Sequence, residues 1–389
     1  MEIGIVGKPN VGKSTFFKAL TLAEVEIANF PFTTIDANVG VGYVRTQCPC
    51  KEFNVKCNPQ NSICMDYNRF VPVKLIDVAG LVPGAHEGKG LGNKFLDDLR
   101  RADTLIHIVD ISGRTNDKGE STENYDPEND IRFLEEEIDE WFYDILKKNW
   151  SNIARKIKYE NKNILKEFTD VLTGLGINEG HIKEALKKLN LEEKMEFSDE
   201  ELKDLAITIR KMSKPILISA NRVDLDKKGN FERLKDMYKM IATCSEAELA
   251  LRQAQSHDVI KYIPGNKNFE IVSNVDEKHA KALDFIKALM EKYGSTGVQE
   301  CVNTAVFGIL KQIVVYPVEN EHKLTDQKGN ILPDAHLVPE GSTALDLAFR
   351  IHTDIGEKFI GAIDCKTKKK IGKDYVLKNN DVIKIITCR

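Results

Sequence analysis

Residues 1–15, MEIGIVGKPNVGKST, decide the fold. MEIGIV alternates too little for a half-exposed strand and reads as a short buried one, of the kind found in parallel sheets covered on both faces. It runs straight into Gly7–Ser14, GKPNVGKS, which fits G-x-x-x-x-G-K-[ST], and the pattern predicts a helix from Ser14 to about Leu22. Between a strand and a helix, successive backbone N–H groups and the helix N-terminus form a nest for phosphate oxygens. In such a turn Lys13 reaches the β and γ phosphates and the Ser14 hydroxyl ligates Mg²⁺.

Three more apolar runs have the same character: FVPVKLID (70–77), TLIHIVD (104–110) and PILISA (215–220). Each ends in or beside a polar residue suited to the carboxyl edge of a sheet, and helical stretches lie between them. This predicts a doubly wound α/β domain, whose ligands sit beyond the carboxyl ends of its strands. Between the third and fourth runs comes a long helical interruption. Asp126 and Pro127 suit an N-cap and a first-turn proline, and Ile131, Leu134, Ile138, Trp141 and Ile145 then recur at spacings of 3 and 4. The stripe resumes from Trp150 through Ile153, Ile157, Ile164 and Phe168 until Gly174 and Gly176 break it, and a second polar helical stretch runs to about Met212. The expectation is a helical hairpin packing on itself, with a docking arm for a partner as the alternative.

The last eighty residues change character: VVYPV, AHLVP, FIGAID and VIKIIT surround one helix, Thr343 to about His352, opened by a Ser342 cap. A small mixed α+β domain is the economical reading. Over residues 311–389, 13 Lys and Arg stand against 11 Asp and Glu, a net of +2 beside −6 for the rest of the chain. Lys366, Lys368, Lys369, Lys370 and Lys373 cluster around one turn, where they could meet RNA phosphates or stand as a solvated charge cluster.

Composition narrows the class. The chain has 389 residues, 42% hydrophobic and 30% charged, with a net charge of −4. That is ordinary for a globular protein and unlike a disordered, collagenous or disulfide-scaffold chain. No apolar run reaches a membrane span and the N-terminus lacks the features of a signal peptide, so a cytoplasmic protein is expected.

Further chemistry-bearing segments follow in a fixed order. Asp77-Val78-Ala79-Gly80 ends a strand as a Walker-B-type aspartate should, to hold Mg²⁺ through water while the Gly80 amide meets the γ phosphate. Asn29–Ile35, NFPFTTI, offers a threonine hydroxyl to complete the Mg²⁺ shell. Asn221-Arg222-Val223-Asp224 follows a buried strand, so its carboxylate can accept two hydrogen bonds from a guanine edge; adenine presents an acceptor where guanine offers its N1–H.

At this point the chain resembles the YchF subfamily of Obg-related GTPases, in its archaeal form, over nearly its full length. The resemblance rests on GKPNVGKST, NFPFTTIDANVG, DVAGLVPGAHEGKGLGNKFLDDLRRAD, NRVD, TCSEAELALR from Thr243, YIPG from Tyr262, and a carboxyl-terminal region similar to the TGS domain. It implies an α/β fold: a Ras-like P-loop G domain (1–124 and 213–310), an inserted helical hairpin arm (125–212) and an α+β, ubiquitin-like (β-grasp) TGS domain (311–389). It implies nucleotide contacts from Gly7, Lys8, Pro9, Asn10, Val11, Gly12, Lys13, Ser14 and Thr15, from Phe32, Thr33 and Thr34 of switch I, and from Asp77 and Gly80 of switch II. Asn221 and Asp224 would read the base, Arg222 would stand among the nucleotide contacts, and Cys244 and Ser245 take the place of the usual Ser-Ala pair. Ser14 and Thr34 would ligate Mg²⁺; Lys13, Thr34 and Gly80 would be catalytic. Leu81 stands where Ras-type enzymes carry the water-orienting glutamine, so intrinsic hydrolysis should be slow. Asn10 matches the asparagine that binds K⁺ in potassium-dependent relatives. Gly80, Gly84, Gly88, Gly90 and Gly92 suit a loop that reorders with nucleotide state; His86 within it could position water or simply be solvated.

The intact aspartate of NRVD predicts GTP over ATP, an ATPase of the same subfamily being the alternative. The resemblance also implies a monomeric protein working with ribosomes through its TGS domain and arm, either as a GTP-hydrolysing switch or as a nucleotide-gated RNA-binding module with incidental hydrolysis. Finally, Cys48, Cys50, Cys57 and Cys64 have the spacing C-x-C-x₆-C-x₆-C. They suffice for a tetrahedral Zn²⁺ site or stand as reduced, redox-sensitive thiols. Cys244, Cys301, Cys365 and Cys388 are scattered.

Overall fold

A computed structural model describes residues 1–21, 38–78, 92–160, 162–192 and 194–388. Phe32, Thr33, Thr34, Gly80, Leu81, His86 and the glycines at 84, 88 and 90 lie outside these described residues. The phosphate-loop reading places a strand and a helix side by side, and they are β1 (Glu2–Val6) and α1 (Lys13–Thr21).

The first sheet adds β2 (Val39–Gln47), β3 (Ile63–Met65), β4 (Asn68–Asp77), β5 (Thr104–Asp110), β6 (Ile216–Asn221) and β7 (Met240–Ala242). Its order is β2-β4-β1-β5-β6-β7, with β3 on β4. β1 runs parallel to β4 and β5, and β5, β6 and β7 continue in parallel. β2 pairs antiparallel with β4 along nine residues. Every residue of β5 is buried, as the uninterrupted TLIHIVD run requires of a strand covered on both faces. Successive strands depart from β1 in opposite directions, so the loop after β1 opens at the topological switch point.

Four helices stand between β5 and β6: α3 (Glu128–Glu160), α4 (Ile164–Leu172), α5 (Glu179–Lys188) and α6 (Asp199–Ser213), with α2 (Gly92–Arg101) preceding β5. Their apolar stripes form one core with the sheet face beneath, including Leu134, Ile138, Trp141, Phe168 and Leu205. Trp150 stacks on Phe197 at 4.9 Å and on Phe168 at 6.1 Å. The stripe from Trp150 to Phe168 is not one helix. Asn163 is an N-cap, its side chain accepting the Leu165 N–H, so Ile164 and Phe168 open a new helix that folds back. A long helix answered by three shorter ones replaces the simple hairpin.

The chain continues through α7 (Asn230–Leu234), α8 (Ser245–Ser256), the β8 (Ile260–Lys261) and β9 (Glu270–Ile271) pair, α9 (Glu277–Tyr293) and α10 (Val298–Asn303). It ends in a mixed sheet of β10 (Gln312–Val318), β11 (His336–Pro339), β12 (Phe359–Asp364), β13 (Lys369–Ile371) and β14 (Asp381–Thr387), ordered β11-β10-β14-β12-β13. Only β10 and β14 are parallel, and α11 (Ala344–Ile351) covers one face through Ala344 and Leu347. This is the β-grasp arrangement. Thr343, not Ser342, caps α11, because its hydroxyl and the Asp346 carboxylate exchange hydrogen bonds with each other's backbone N–H. A short α12 (Thr353–Glu357) follows. No described helix is long and apolar enough to cross a membrane.

Candidate nucleotide-binding site

The turn after β1 is shaped by close approach. A Cβ on Gly7 would lie 2.7 Å from the Ile108 carbonyl oxygen, and one on Gly12 would lie 2.4 Å from Asn221 Nδ2. Gly12 also has φ +93°, a region that disfavours side chains. The Phe16 N–H donates to the Gly12 carbonyl at 2.9 Å, which starts α1 and leaves Ser14 exposed in its first turn. Across the strand pair, Asp77 sits in register with Ile5 at the carboxyl end of β4. Lys13 Nζ donates to Asp77 Oδ1 and to the Val78 carbonyl, each at 2.6 Å. The Walker-type lysine and aspartate therefore neutralise each other on the open edge of the sheet.

Asn221, at the end of β6, has protein partners on both polar atoms of its side chain. Its Nδ2 donates to the Val11 carbonyl at 2.8 Å, while its Oδ1 accepts from the Ser245 N–H at 3.0 Å and the Ser245 hydroxyl at 2.8 Å. Both polar atoms of its buried side chain thus staple the phosphate loop to the segment after β7. Asp224 is half-buried, and its carboxylate accepts from the Cys244 thiol at 3.2 Å. Burial, then the Asp224 charge, push that thiol up to about 12, so it is a neutral donor at physiological pH.

Arg222 sits at φ +61° and turns back under the site. Its Nη1 donates to Asp110 Oδ2 at 2.8 Å. Asp110, buried at the end of β5, also accepts from the Ser112 N–H (3.1 Å), the Ser112 hydroxyl (2.5 Å) and the Thr115 hydroxyl (3.0 Å). The Arg222–Asp110 pair ties the turn after β6 to the end of β5. Behind Cys244, buried Glu248 accepts from Tyr262 (2.7 Å), Thr296 (2.5 Å) and Arg252 (2.8 Å), which joins the TCSEAELALR and YIPG segments.

Lys8, expected among the nucleotide contacts, sends its side chain the other way. It is 7% exposed; Nζ lies 2.9 Å from the Thr115 carbonyl and 2.7 Å from Asp130 Oδ2, with the Tyr125 ring centroid 4.0 Å away. The Tyr125 hydroxyl donates to Asp130 Oδ1 at 2.8 Å. Asp130 lies in the first turn of α3, so the phosphate loop is tied to the root of the helical insertion. Beside this cluster, burial and then the Lys8 charge lower His107 to about 3, which keeps it neutral. Asn10, at φ +63°, donates from Nδ2 to the Gly119 carbonyl at 3.0 Å. Sequence reasoning missed Asp110, Thr115, Gly119, Tyr125 and Asp130. Asp110 carried a signal, a carboxylate ending a predicted strand; Asp130 carried none, because its partner is 122 residues away.

The oxygen donors on this edge, the Ser14 hydroxyl and the Asp77 carboxylate, are the hard ligands that suit Mg²⁺. The profile of 50S ribosome-binding GTPases matches residues 2–154, that of an Obg-like GTPase, YGR210-like, G4 motif-containing domain matches 219–320, and that of the TGS domain matches 328–387. A GTP-binding protein of Methanocaldococcus jannaschii is 54% identical over 391 residues, covering 99% of this chain and 98% of its own. The ribosome-binding ATPase YchF of Buchnera aphidicola is 27% identical over 98% of both chains. The crystal structure of a GTP-binding protein from Pyrococcus horikoshii OT3 superimposes with a TM-score of 0.81 at 42% identity, covering 100% of each chain. The chain belongs to the Obg-related GTPases of the YchF type, with a P-loop G domain and a TGS domain at its carboxyl end.

Proposed function

We propose that this chain binds GTP in preference to ATP, hydrolyses it slowly with Mg²⁺, and associates with ribosomes according to nucleotide state. One observation carries the base choice: Asn221, three residues before Asp224, joins the phosphate loop to Ser245 in the segment after β7, so phosphate and base elements share one sheet edge with the aspartate intact. A carboxylate there accepts from guanine N1–H and N2–H; adenine cannot supply both. In the reaction, water attacks the γ phosphate, and catalysis comes from positioning and charge. On nucleotide binding Lys13 would exchange Asp77 for the phosphates, which would free the Asp77 carboxylate to help hold Mg²⁺. The Ser14 and Thr34 hydroxyls would hold Mg²⁺, which would supply charge neutralisation for the transferred phosphoryl group. Thr34 and the Gly80 amide would complete the γ-phosphate contacts, and Asn10 would help to hold K⁺ there.

We read residues 1–124 and 213–310 as the G domain, 125–212 as the arm and 311–389 as the TGS domain of a cytoplasmic monomer. Ribosome association is supported by the names of relatives and by the exposed Lys368, Lys369, Lys370 and Lys373. Lys366 instead pairs with Glu52 at 2.7 Å. The alternative, an ATPase, is favoured by the Buchnera relative's name. Competition against labelled GDP decides between them: GTP should displace it at concentrations at least a hundredfold below ATP, and equal displacement would overturn the base assignment.

A further inference from the structure

The segment between β2 and β4 carries chemistry that nucleotide binding does not use. Cys48 follows β2, Cys50 lies in the 3-10 turn Pro49–Lys51, Cys57 is in the following loop and Cys64 is in β3. All four are free, and their sulfurs lie within 4.8 Å of one another. Cys48 and Cys57 are 3.9 Å apart, and Cys50 and Cys64 are 4.0 Å apart. Four thiolates at the usual Zn–S length of about 2.3 Å would be separated by roughly 3.8 Å, so the cluster already approximates the tetrahedron of a closed structural site.

A second observation points to charge at this place. Arg69, opposite Cys64 in the β3–β4 register, is 0% exposed, and among the described residues no carboxylate lies within ion-pair distance of it. Its Nη1 donates to Ser62 Oγ at 3.1 Å and its Nη2 to the Leu332 carbonyl at 2.6 Å, while Nε has no partner. A buried cation left so is costly. Zn²⁺ with four thiolates carries −2, and the guanidinium would compensate part of that charge.

We propose that Cys48, Cys50, Cys57 and Cys64 bind one structural Zn²⁺, and that this ion fastens the G domain to the TGS domain. Binding displaces the thiol protons, so four Cys–SH and Zn²⁺ give the tetrathiolate and four protons. The clamp follows from position. Residues 58–61, between ligands Cys57 and Cys64, dock on the carboxyl-terminal domain: the Asn58 N–H donates to the Ile331 carbonyl at 2.8 Å and the Gln60 N–H to the Pro333 carbonyl at 2.7 Å. Asn61 Oδ1 accepts the Ala335 N–H at 2.9 Å. The metal fixes both ends of this run.

The test uses the full chain purified without chelator. Elemental analysis should find one zinc per chain in a colourless protein, released as a mercurial titrates the thiols. Zinc below about 0.1 per chain, or iron with its thiolate absorption, overturns the site. Cys57→Ser should lose the zinc while Cys388→Ser keeps it. Because Cys57→Ser could fail to fold, wild-type protein is also stripped by mercurial and chelator and its thiols restored. Hydrogen exchange at the Asn58 and Gln60 amides should then rise at least tenfold, with β1 unchanged. Unchanged exchange at those two amides after zinc loss overturns the clamp.

Discussion

Replacing Lys8 with Met removes the cation from a nearly closed polar cluster and leaves the rest of the side chain's volume. Lys8 and Asp130 are 7% and 8% exposed, so the remaining carboxylate would be a buried charge held only by the Tyr125 hydroxyl. Breaking such a pair costs about 3–5 kcal/mol. A ceiling follows from proton binding: the carboxyl can neutralise itself at a cost of about 1.4 kcal/mol for each pH unit above its ordinary value near 4, which gives about 4 kcal/mol at pH 7. Burial already raises Asp130 even with Lys8 beside it. The sign is therefore set: a group whose folded pKa is raised binds more protons folded than unfolded, so the penalty shrinks as pH falls. The Lys8→Met penalty should be about 3–4 kcal/mol at pH 7 and about 1–2 kcal/mol at pH 5. The only tryptophans, Trp141 and Trp150, both lie in α3 with Asp130, so urea unfolding followed by their fluorescence reports on the right element. Adding Asp130→Asn should recover most of the loss at pH 7. A penalty below about 1 kcal/mol at pH 7, or one equal at pH 5 and pH 7, would refute the reasoning.

Other consequences are equally direct. Asp224→Asn removes two charge-assisted acceptors for guanine, at about 1.5–3 kcal/mol each, so fluorescent GDP should bind at least a hundredfold more weakly while ATP binding stays the same. Gly12→Ala forces a Cβ to within 2.4 Å of Asn221 Nδ2 at φ +93°, and nucleotide affinity by titration calorimetry should drop at least a hundredfold. If Asn10 helps to hold a monovalent cation, GTP turnover in K⁺ should exceed that in Na⁺ several-fold; equal rates count against it.

What the sequence made legible depends on how local the physics is. The phosphate loop, β4, β5 and β6 could be read because burial on both faces writes continuous apolar runs. β2 could not: Gly40 and Gly42 interrupt its alternation, and its strand status comes from nine pairs with β4. Asn163 is a polar residue in an otherwise periodic stretch, and its capping bond, which splits the stripe, depends on a backbone turn the periodicity conceals. Thr343 displaces Ser342 as cap because Asp346 stands three residues after it. Within the site, motif residues were legible as a set, but the division of labour was not. The motif marks Asn221 and Arg222 but not the protein partners that hold them, because Val11, Ser245 and Asp110 are distant in sequence. Lys8 is the sharpest case, a loop lysine whose partner is on the inserted helix.

Nucleotide control of ribosome association is the central claim, and co-sedimentation of the full chain with ribosomes tests it most directly. The chain loaded with a non-hydrolysable GTP analogue should pellet with ribosomes while the GDP-loaded chain stays largely in the supernatant, and added salt should weaken the pelleted fraction. Equal pelleting in both nucleotide states, or none in either, would contradict the account.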